Sequence, residues 1–311
     1  MSQQHPYPSH SPHSLVQATI DALPYGRLAD CIEQILKDPT VQVPARIVHP
    51  LGERSSLFVM PASDSRIAIT KLITFVADNP ERGLPAIQGD VVVFDVRTGR
   101  RAALLDGPTV TARRTAAVSL AAARLLSAST DGPMLIIGAG IQGRAHLEAF
   151  AGLGVREARV ASRSVASVQA LVDHARALGL DARPSLHLQA DMADCPIVIT
   201  CTSAQQVAVH AIPRDDAFVA AVGAFTPKMV EWSADVIRAV ARSGSMVVDS
   251  RDADHEAGDL LQAGLDVSVF PTLADVARQG WSKVSRGPVF FKSCGWAGWD
   301  LAAARCALDA D

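Results

Sequence analysis

The stretch that most constrains this chain runs from Pro133 to Phe150, PMLIIGAGIQGRAHLEAF. Met134 to Ile137 are wholly apolar and read as a short buried strand, Gly138, Gly140 and Gly143 supply a G-x-G-x-x-G turn, and Arg144 to Phe150 open a helix. A dinucleotide fold needs that order. Gly138 permits the tight turn, Gly140 lets the backbone approach a pyrophosphate, and Gly143 lets helix and strand pack closely. The helix N-terminus presents free N–H groups to the phosphate charge. The motif alone is weak, and its position between an apolar strand and a helix gives it weight.

Strands and helices alternate beyond this point. RVAS is followed by SVASVQALVDHARAL, CPIVITCT, AFVAAVG, a helix around Ser233 to Ala241, MVVDS, and helices near Glu256 to Ala263 and Leu273 to Gln279. This is the pattern of a doubly wound parallel sheet. The earlier half reads differently. Leu15 to Leu36 carry helical periodicity that Asp38-Pro39 stops. From Val41 to Asp106 short strands follow one another, VQVPARIVHP, SSLFVMPA, RIAITKLITF, DVVVFDVRTG and RRAALLD, with a hairpin turn at Thr98-Gly99. Thr109 or Thr111 is placed to cap the helix ARRTAAVSLAAARLLS that comes next. The expected fold is α/β: a Rossmann sheet over residues 128–288, inserted into an α+β domain built from residues 15–127 and 289–311. The terminal helix WAGWDLAAARCALD is expected to cross back to the first domain, because a cofactor at the switch point of a parallel sheet needs a second surface to close over it.

Composition excludes several classes of function. A chain of 311 residues with 49% hydrophobic and 20% charged residues can bury two cores. Its net charge of −3 offers no basic surplus to a nucleic acid or an anionic membrane, and no apolar run has the length of a membrane span. Residues 1–14 read as a Ser-, Pro- and His-rich tail without the apolar core of a signal peptide. His5, His10 and His13 in that tail lack the spacing of a metal site. Five cysteines, odd in number and without a C-x-x-C pair, fit a reducing cytoplasm and argue against structural zinc, so no metal is expected.

The cofactor's identity can be read at the end of the strand RVAS, which runs into Ser162-Arg163-Ser164. A carboxylate there would hold the ribose 2′-hydroxyl of NAD. None is present, and an arginine flanked by hydroxyls suits a 2′-phosphate, so NADPH is expected over NADH. Thr200 to Ser203 and Val222-Gly223 fall at the C-terminal ends of strands, where dinucleotides lie. In the first domain, strand alternation puts Ile67, Ile69, Lys71, Ile73 and Phe75 on one face. An ammonium buried there needs either a protein carboxylate or an anionic ligand. Arg114, beside Arg113 at the start of the alanine-rich helix, and Arg46, in a strand with Val43 and Ile47, complete a group of cations suited to clamping a carboxylate.

GAGIQGRAH after a helix containing ARRTAA, a strand bearing TK, the segment LFVMPAS, the later VVDS and HEAGDL, and the terminal FKSCG together resemble the ornithine cyclodeaminase/μ-crystallin family, over nearly the whole chain from about Leu23. The resemblance implies a Rossmann domain inserted into a substrate domain whose sheet forms a homodimer interface. It also implies that Arg46, Lys71 and Arg114 bind a substrate carboxylate. Thr115, Gly138, Gly140, Ile141, Gln142, Gly143, Ser162, Arg163, Ser164, Thr202, Val222, Gly223 and Lys292 would hold the cofactor. One departure narrows the activity. The cyclodeaminases carry an aspartate within G-x-D-x-P, whereas this chain reads Gly223-Ala224-Phe225-Thr226-Pro227. A phenyl ring neither accepts a proton nor pairs with the second ammonium of ornithine. TKLITF resembles the ketimine-reducing branch instead. The expectation is reduction of a cyclic imino acid, Δ1-pyrroline-2-carboxylate or Δ1-piperideine-2-carboxylate, with NADPH as hydride source. Met60 and Phe225 would serve as apolar walls, Thr226 as a hydrogen-bonding partner and Lys71 as anchor or acid. A cyclodeaminase or amino-acid dehydrogenase of the same family, and a non-catalytic NADPH-dependent binder, stay open as alternatives.

Overall fold

A computed structural model of the chain describes residues 12–126, 128–129, 131–282 and 287–309. His5 and His10 lie outside the described residues, as does most of the segment read as a tail. Helix α1 (Pro12–Ala22) nevertheless begins inside that segment. The single helix expected over Leu15 to Leu36 is two, because Pro24 cannot donate a helical hydrogen bond, and α2 (Tyr25–Lys37) starts just after it. The amphipathic face of α2 buries Leu28, Cys31, Ile32, Ile35 and Leu36, and Asp38 ends the helix in an extended conformation.

Five strands follow as an antiparallel meander: β1 (Ile47–Gly52), β2 (Ser55–Ser63), β3 (Ile67–Val76), β4 (Ile87–Asp95) and β5 (Arg101–Asp106). Arg46 immediately precedes β1 and is not part of it, a correction to the expected strand through Val43 to Ile47. Helix α3 (Gly107–Leu125) starts two residues before Thr109. Its N-cap is Asp106, whose carboxylate accepts the Thr109 amide at 2.8 Å. Neither threonine caps it. Thr111 instead turns its hydroxyl back to the Gly107 carbonyl.

The second sheet is parallel throughout. Its elements are β6 (Pro133–Ile137), α4 (Ile141–Leu153), β7 (Glu157–Ala161), α5 (Val165–Ala177), β8 (Asp181–Pro184), α6 (Leu188–Asp194), β9 (Ile197–Thr200), β10 (Phe218–Ala221), α7 (Ala234–Ser243), β11 (Ser245–Val248), α8 (Ala253–Glu256), α9 (Gly258–Gln262), α10 (Leu273–Gln279) and β12 (Val289–Lys292). The strand order is β11-β12-β10-β9-β6-β7-β8, so the chain reverses direction across the sheet between β6 and β9. Met134 and Ile136 join the core shared with the first sheet, while Leu135 and Ile137 join the core on the far side. Burial on both faces is why these strands read as unbroken apolar runs.

Strand β12 pairs with both β10 and β11, so residues 289–292 belong to this sheet and not to the first domain, where the sequence boundary put them. Within residues 289–309, it is the last helix, α11 (Ala297–Leu308), that packs on α2, α3, β2 and β3. Trp299, Leu301 and Ala302 through Ala304 are fully buried in that contact. It places one carboxylate, Asp300, beneath the first sheet, with consequences for the site.

Candidate active site

The inner face of β3 puts Lys71 among Ile67, Ile69 and Ile73, and its side chain is only 1% exposed. An ammonium so buried needs a partner. Asp300 of α11, itself 0% exposed, provides it at 3.2 Å from Nζ. The same Asp300 oxygen lies 3.5 Å from Nε of Arg114 on α3, which is also buried. One carboxylate thus serves two cations and leaves an excess positive charge. Burial holds the Lys71 ammonium down to about 8; Asp300 works against that, and the neighbouring Arg114 and Arg46 add to it. Arg113, the adjacent cation, turns the other way: its guanidinium stacks 4.0 Å over the Tyr25 ring and donates to the Leu23 carbonyl.

Lys71, Arg46 and Met60 face a cavity of about 220 Å³ between the two sheets. Arg114 and Thr115 enter it from α3, and Gln142, Thr202, Val222, Gly223 and Phe225 close it from the side of the parallel sheet. Arg46 is ion-paired with Glu256 of α8. Burial pushes the Glu256 carboxyl up to about 7, with Arg46 pulling it back and Asp252 adding to the rise. Ser293, Cys294 and Gly295 form a further part of the wall. Their conformation is set by Asp249 at the end of β11, whose Oδ2 accepts from the Ser293 hydroxyl and from the Cys294 and Gly295 amides at 2.8 to 3.0 Å. Gly295 sits at φ +92, a left-handed conformation that strains any other residue, with the Arg114 guanidinium in van der Waals reach.

The glycine turn lies at the sheet's reversal point. Gly138 has φ +122, and a Cβ on it would come within 2.5 Å of the Cys201 carbonyl. A Cβ on Gly143 would come within 2.1 Å of the Gly138 carbonyl, so the first turn of α4 could not pack against the strand end. Gly140 is different: a Cβ there would meet nothing within 4 Å, which leaves the approach to the helix N-terminus open. The buried Oε1 of Gln142 has no hydrogen-bond partner among the described residues. These features fit a nicotinamide dinucleotide, its pyrophosphate at the N-terminus of α4. His146, one turn further on, bridges Ser119 of α3 and the Gln142 carbonyl, and burial lowers it to about 4. It is a neutral strut between α3 and α4.

Ile141 is exposed at the start of α4. Ser162, Arg163 and Ser164 follow β7 and are exposed. Arg163 donates to the Ser203 hydroxyl at 3.3 Å, and Ser164 caps α5 through the Ser167 amide. Two expected residues fall elsewhere. Lys292 does not line the cavity: it is 0% exposed, 3.0 Å from Asp259 Oδ2, and donates to the Ala221 carbonyl. Its position inside the parallel sheet turns it inward. Thr226 is likewise absent from the lining; its carbonyl accepts the Met229 amide in the turn that follows Phe225.

Asp300, Glu256 and Asp249 were not singled out by the sequence reading. Asp300 carried a signal, as a lone carboxylate in an alanine-rich helix expected to return to the first domain. Glu256 and Asp249 carried none beyond lying in HEAGDL and VVDS.

The family model described as "Ornithine cyclodeaminase/mu-crystallin family" matches residues 21–310. The chain belongs to this family. Among its relatives in the family, Delta(1)-pyrroline-2-carboxylate reductase 1 of Burkholderia multivorans is 39% identical over 275 residues, covering 86% of this chain and 84% of that one. Ketimine reductase mu-crystallin of Mus musculus is 32% identical over 278 residues, covering 88% and 86%. A solved structure of Thermococcus litoralis Delta(1)-pyrroline-2-carboxylate reductase, in complex with NADH and L-proline, shares the fold with a TM-score of 0.85 at 22% identity, covering 94% of this chain and 95% of that one.

Proposed function

We propose that this protein is an imine-reducing oxidoreductase that uses a nicotinamide dinucleotide to reduce cyclic ketimines bearing one carboxylate, Δ1-pyrroline-2-carboxylate to L-proline and Δ1-piperideine-2-carboxylate to L-pipecolate. The observation that carries this reading is the convergence of Lys71 and Arg114 on the single carboxylate of Asp300 at the wall of a cavity that Met60 and Phe225 keep largely apolar. Two buried cations on one buried anion leave a charge deficit that a single substrate carboxylate fills. The names of the relatives support the same substrate class.

Each residue then has a task. Arg114 presents a planar fork to the carboxylate, Lys71 a point charge beside it, and Arg46 a further cation once it parts from Glu256. Held at that end, the ring lies against Met60 and Phe225, which exclude water from the C=N bond. Lys71, poised at about 8, can also return a proton to the imine nitrogen. When bound, the reduced nicotinamide supplies the hydride that the C=N carbon accepts. The dinucleotide would be held by the glycine turn, Gln142, Thr115, Thr202, Val222 and Gly223. The end of β7 carries Ser162 and Arg163 and no carboxylate, which favours the 2′-phosphate of NADPH over NADH.

The outer face of the first sheet supports a homodimer. Leu72, Phe94 and Leu104 alternate outward on β3, β4 and β5, and are 45%, 37% and 37% exposed. A second copy of the chain is the proposed cover.

The test is NADPH oxidation with each cyclic imine, comparing wild type with Lys71→Ala and Arg114→Ala. Loss of at least about a hundredfold in kcat/KM is expected for each, because each removes one of the two cations proposed to meet the substrate carboxylate. Full activity in both variants would sink the clamp. Stoichiometric ammonia release from L-ornithine with catalytic NAD would instead establish the cyclodeaminase alternative.

A further inference from the structure

Beneath the cavity floor lies a buried polar cluster that the proposed reaction does not use. Glu231 is 0% exposed, and its two carboxylate oxygens reach the ends of two neighbouring strands. Oε1 accepts the Thr202 amide at 2.7 Å, just beyond β9. Oε2 accepts the Gly223 amide at 2.8 Å, just beyond β10, and the Thr200 hydroxyl at 3.0 Å. The hydroxyl is oriented for this by the Trp232 indole N–H, which donates to it at 3.0 Å. Every hydrogen-bond partner of the carboxylate is a donor, which favours its charged form; burial pushes the acid up, with Lys292 pulling it back and Asp259 adding to the rise. Behind it, Asp259 accepts the Glu231 and Trp232 amides at 2.6 and 3.0 Å and pairs with Lys292. The space Glu231 fills is the space a side chain at residue 223 would need: a Cβ on Gly223 would come within 2.3 Å of Oε1.

Thr202 and Gly223 line the cavity. They stand on the β9 and β10 side of the reversal point, opposite the β7 end that carries Ser162 and Arg163. A dinucleotide laid across that point with its pyrophosphate on α4 puts its two halves on the two sides. The half toward Thr202 and Gly223 is the one that shares a cavity with the substrate clamp.

We propose that Glu231 is the positioning residue for the nicotinamide half of the cofactor: its carboxylate pins the Thr202 and Gly223 backbones, and so sets the floor on which that half rests. This inference rests on the proposed use of a nicotinamide dinucleotide. Glu231 touches neither cofactor nor substrate and acts through the two backbones. A glutamine of the same shape must turn its NH₂ toward one of the donors, leaving that amide unsatisfied in a buried site and the strand end free to shift.

The experiment measures binding by calorimetry and fluorescence titration of the full chain, with NADPH and with 2′,5′-ADP, which carries only the adenosine half. In Glu231→Gln, the dissociation constant for NADPH should rise about tenfold while that for 2′,5′-ADP stays within about twofold of wild type. In steady state the KM for NADPH should rise, with the KM for the imine little changed. Thr200→Val, which removes one donor to the carboxylate and preserves shape, should move the same quantities less far and in the same direction. It carries the test should Glu231→Gln fail to fold. A folded variant with unchanged NADPH affinity overturns the assignment, as does an equal loss for NADPH and 2′,5′-ADP, which would mark Glu231 as merely holding the domain together. A wild-type protein that binds NADPH but reduces no imine would overturn the substrate reading and leave the binding comparison to judge Glu231.

Discussion

Lys71 is the residue on which the proposed chemistry turns, and its environment makes a pH prediction. Burial lowers the ammonium to about 8. In the proposed clamp the charged form grips the substrate carboxylate, so kcat/KM for the imine should be level below that value and fall about tenfold per pH unit above it. In Lys71→Arg, whose guanidinium does not titrate in this range, the alkaline limb should disappear even where the rate is lower. A limb that persists unchanged in the variant assigns the titration to another group. The same depression has a sign for stability. Between about 8 and the ordinary 10.5 the unfolded chain holds a proton that the folded one has lost, so this group makes stability rise with pH across that window. Arg163 allows a second prediction at this scale. Replacing it with alanine should weaken NADPH by about tenfold and leave NADH nearly unaffected, as measured by fluorescence titration. Equal losses would remove Arg163 from the 2′-phosphate.

At the scale of elements, the junction of β6 and α4 separates two roles that glycines play in one motif. Gly143 is where helix meets strand end, and Gly140 borders open space. Gly143→Ala should therefore lower both the melting temperature and dinucleotide affinity, because a backbone contact must give way. Gly140→Ala should leave the melting temperature within a degree or two and still weaken the dinucleotide by at least about tenfold, its methyl group standing where the pyrophosphate approaches. Matched losses of stability in the two variants would contradict this division. Helix α11 plays a comparable part for the substrate side. Its apolar face docks on α2 and the first sheet, and that docking delivers Asp300 to Lys71 and Arg114.

For the whole molecule, the proposed dimer gives the remaining prediction. Leu72→Glu, at the centre of the outer sheet face, should convert a dimer to a monomer in sedimentation velocity, since a carboxylate there stands opposite Asp90 across the ladder and cannot be buried against a second copy. A monomeric wild type would overturn the assignment of that face. Across the chain, much was legible in the residues themselves. The two periodicities separated a meander from a doubly wound sheet, the glycine spacing located the dinucleotide turn, and the alternation around Lys71 showed that an ammonium would be buried. Each is a local pattern of three to ten residues, set by strand pleat, helix turn or backbone sterics. The counter-charge of Lys71 was beyond such reading, because Asp300 stands 229 residues away and meets it only when α11 folds back. Glu256 beside Arg46, Asp249 under the loop of residues 293–295, and Glu231 beneath Gly223 were hidden for the same reason. Lys292 shows the converse: its place in FKSCG suggested the cofactor, and the pairing of β12 between β10 and β11 turned it into the interior. Local sterics and periodicity, which act between near neighbours, determined the elements and the dinucleotide turn. Which charges are satisfied, and which are left for a ligand, depends on partners brought together by the packing of distant segments, and only the tertiary structure decided that.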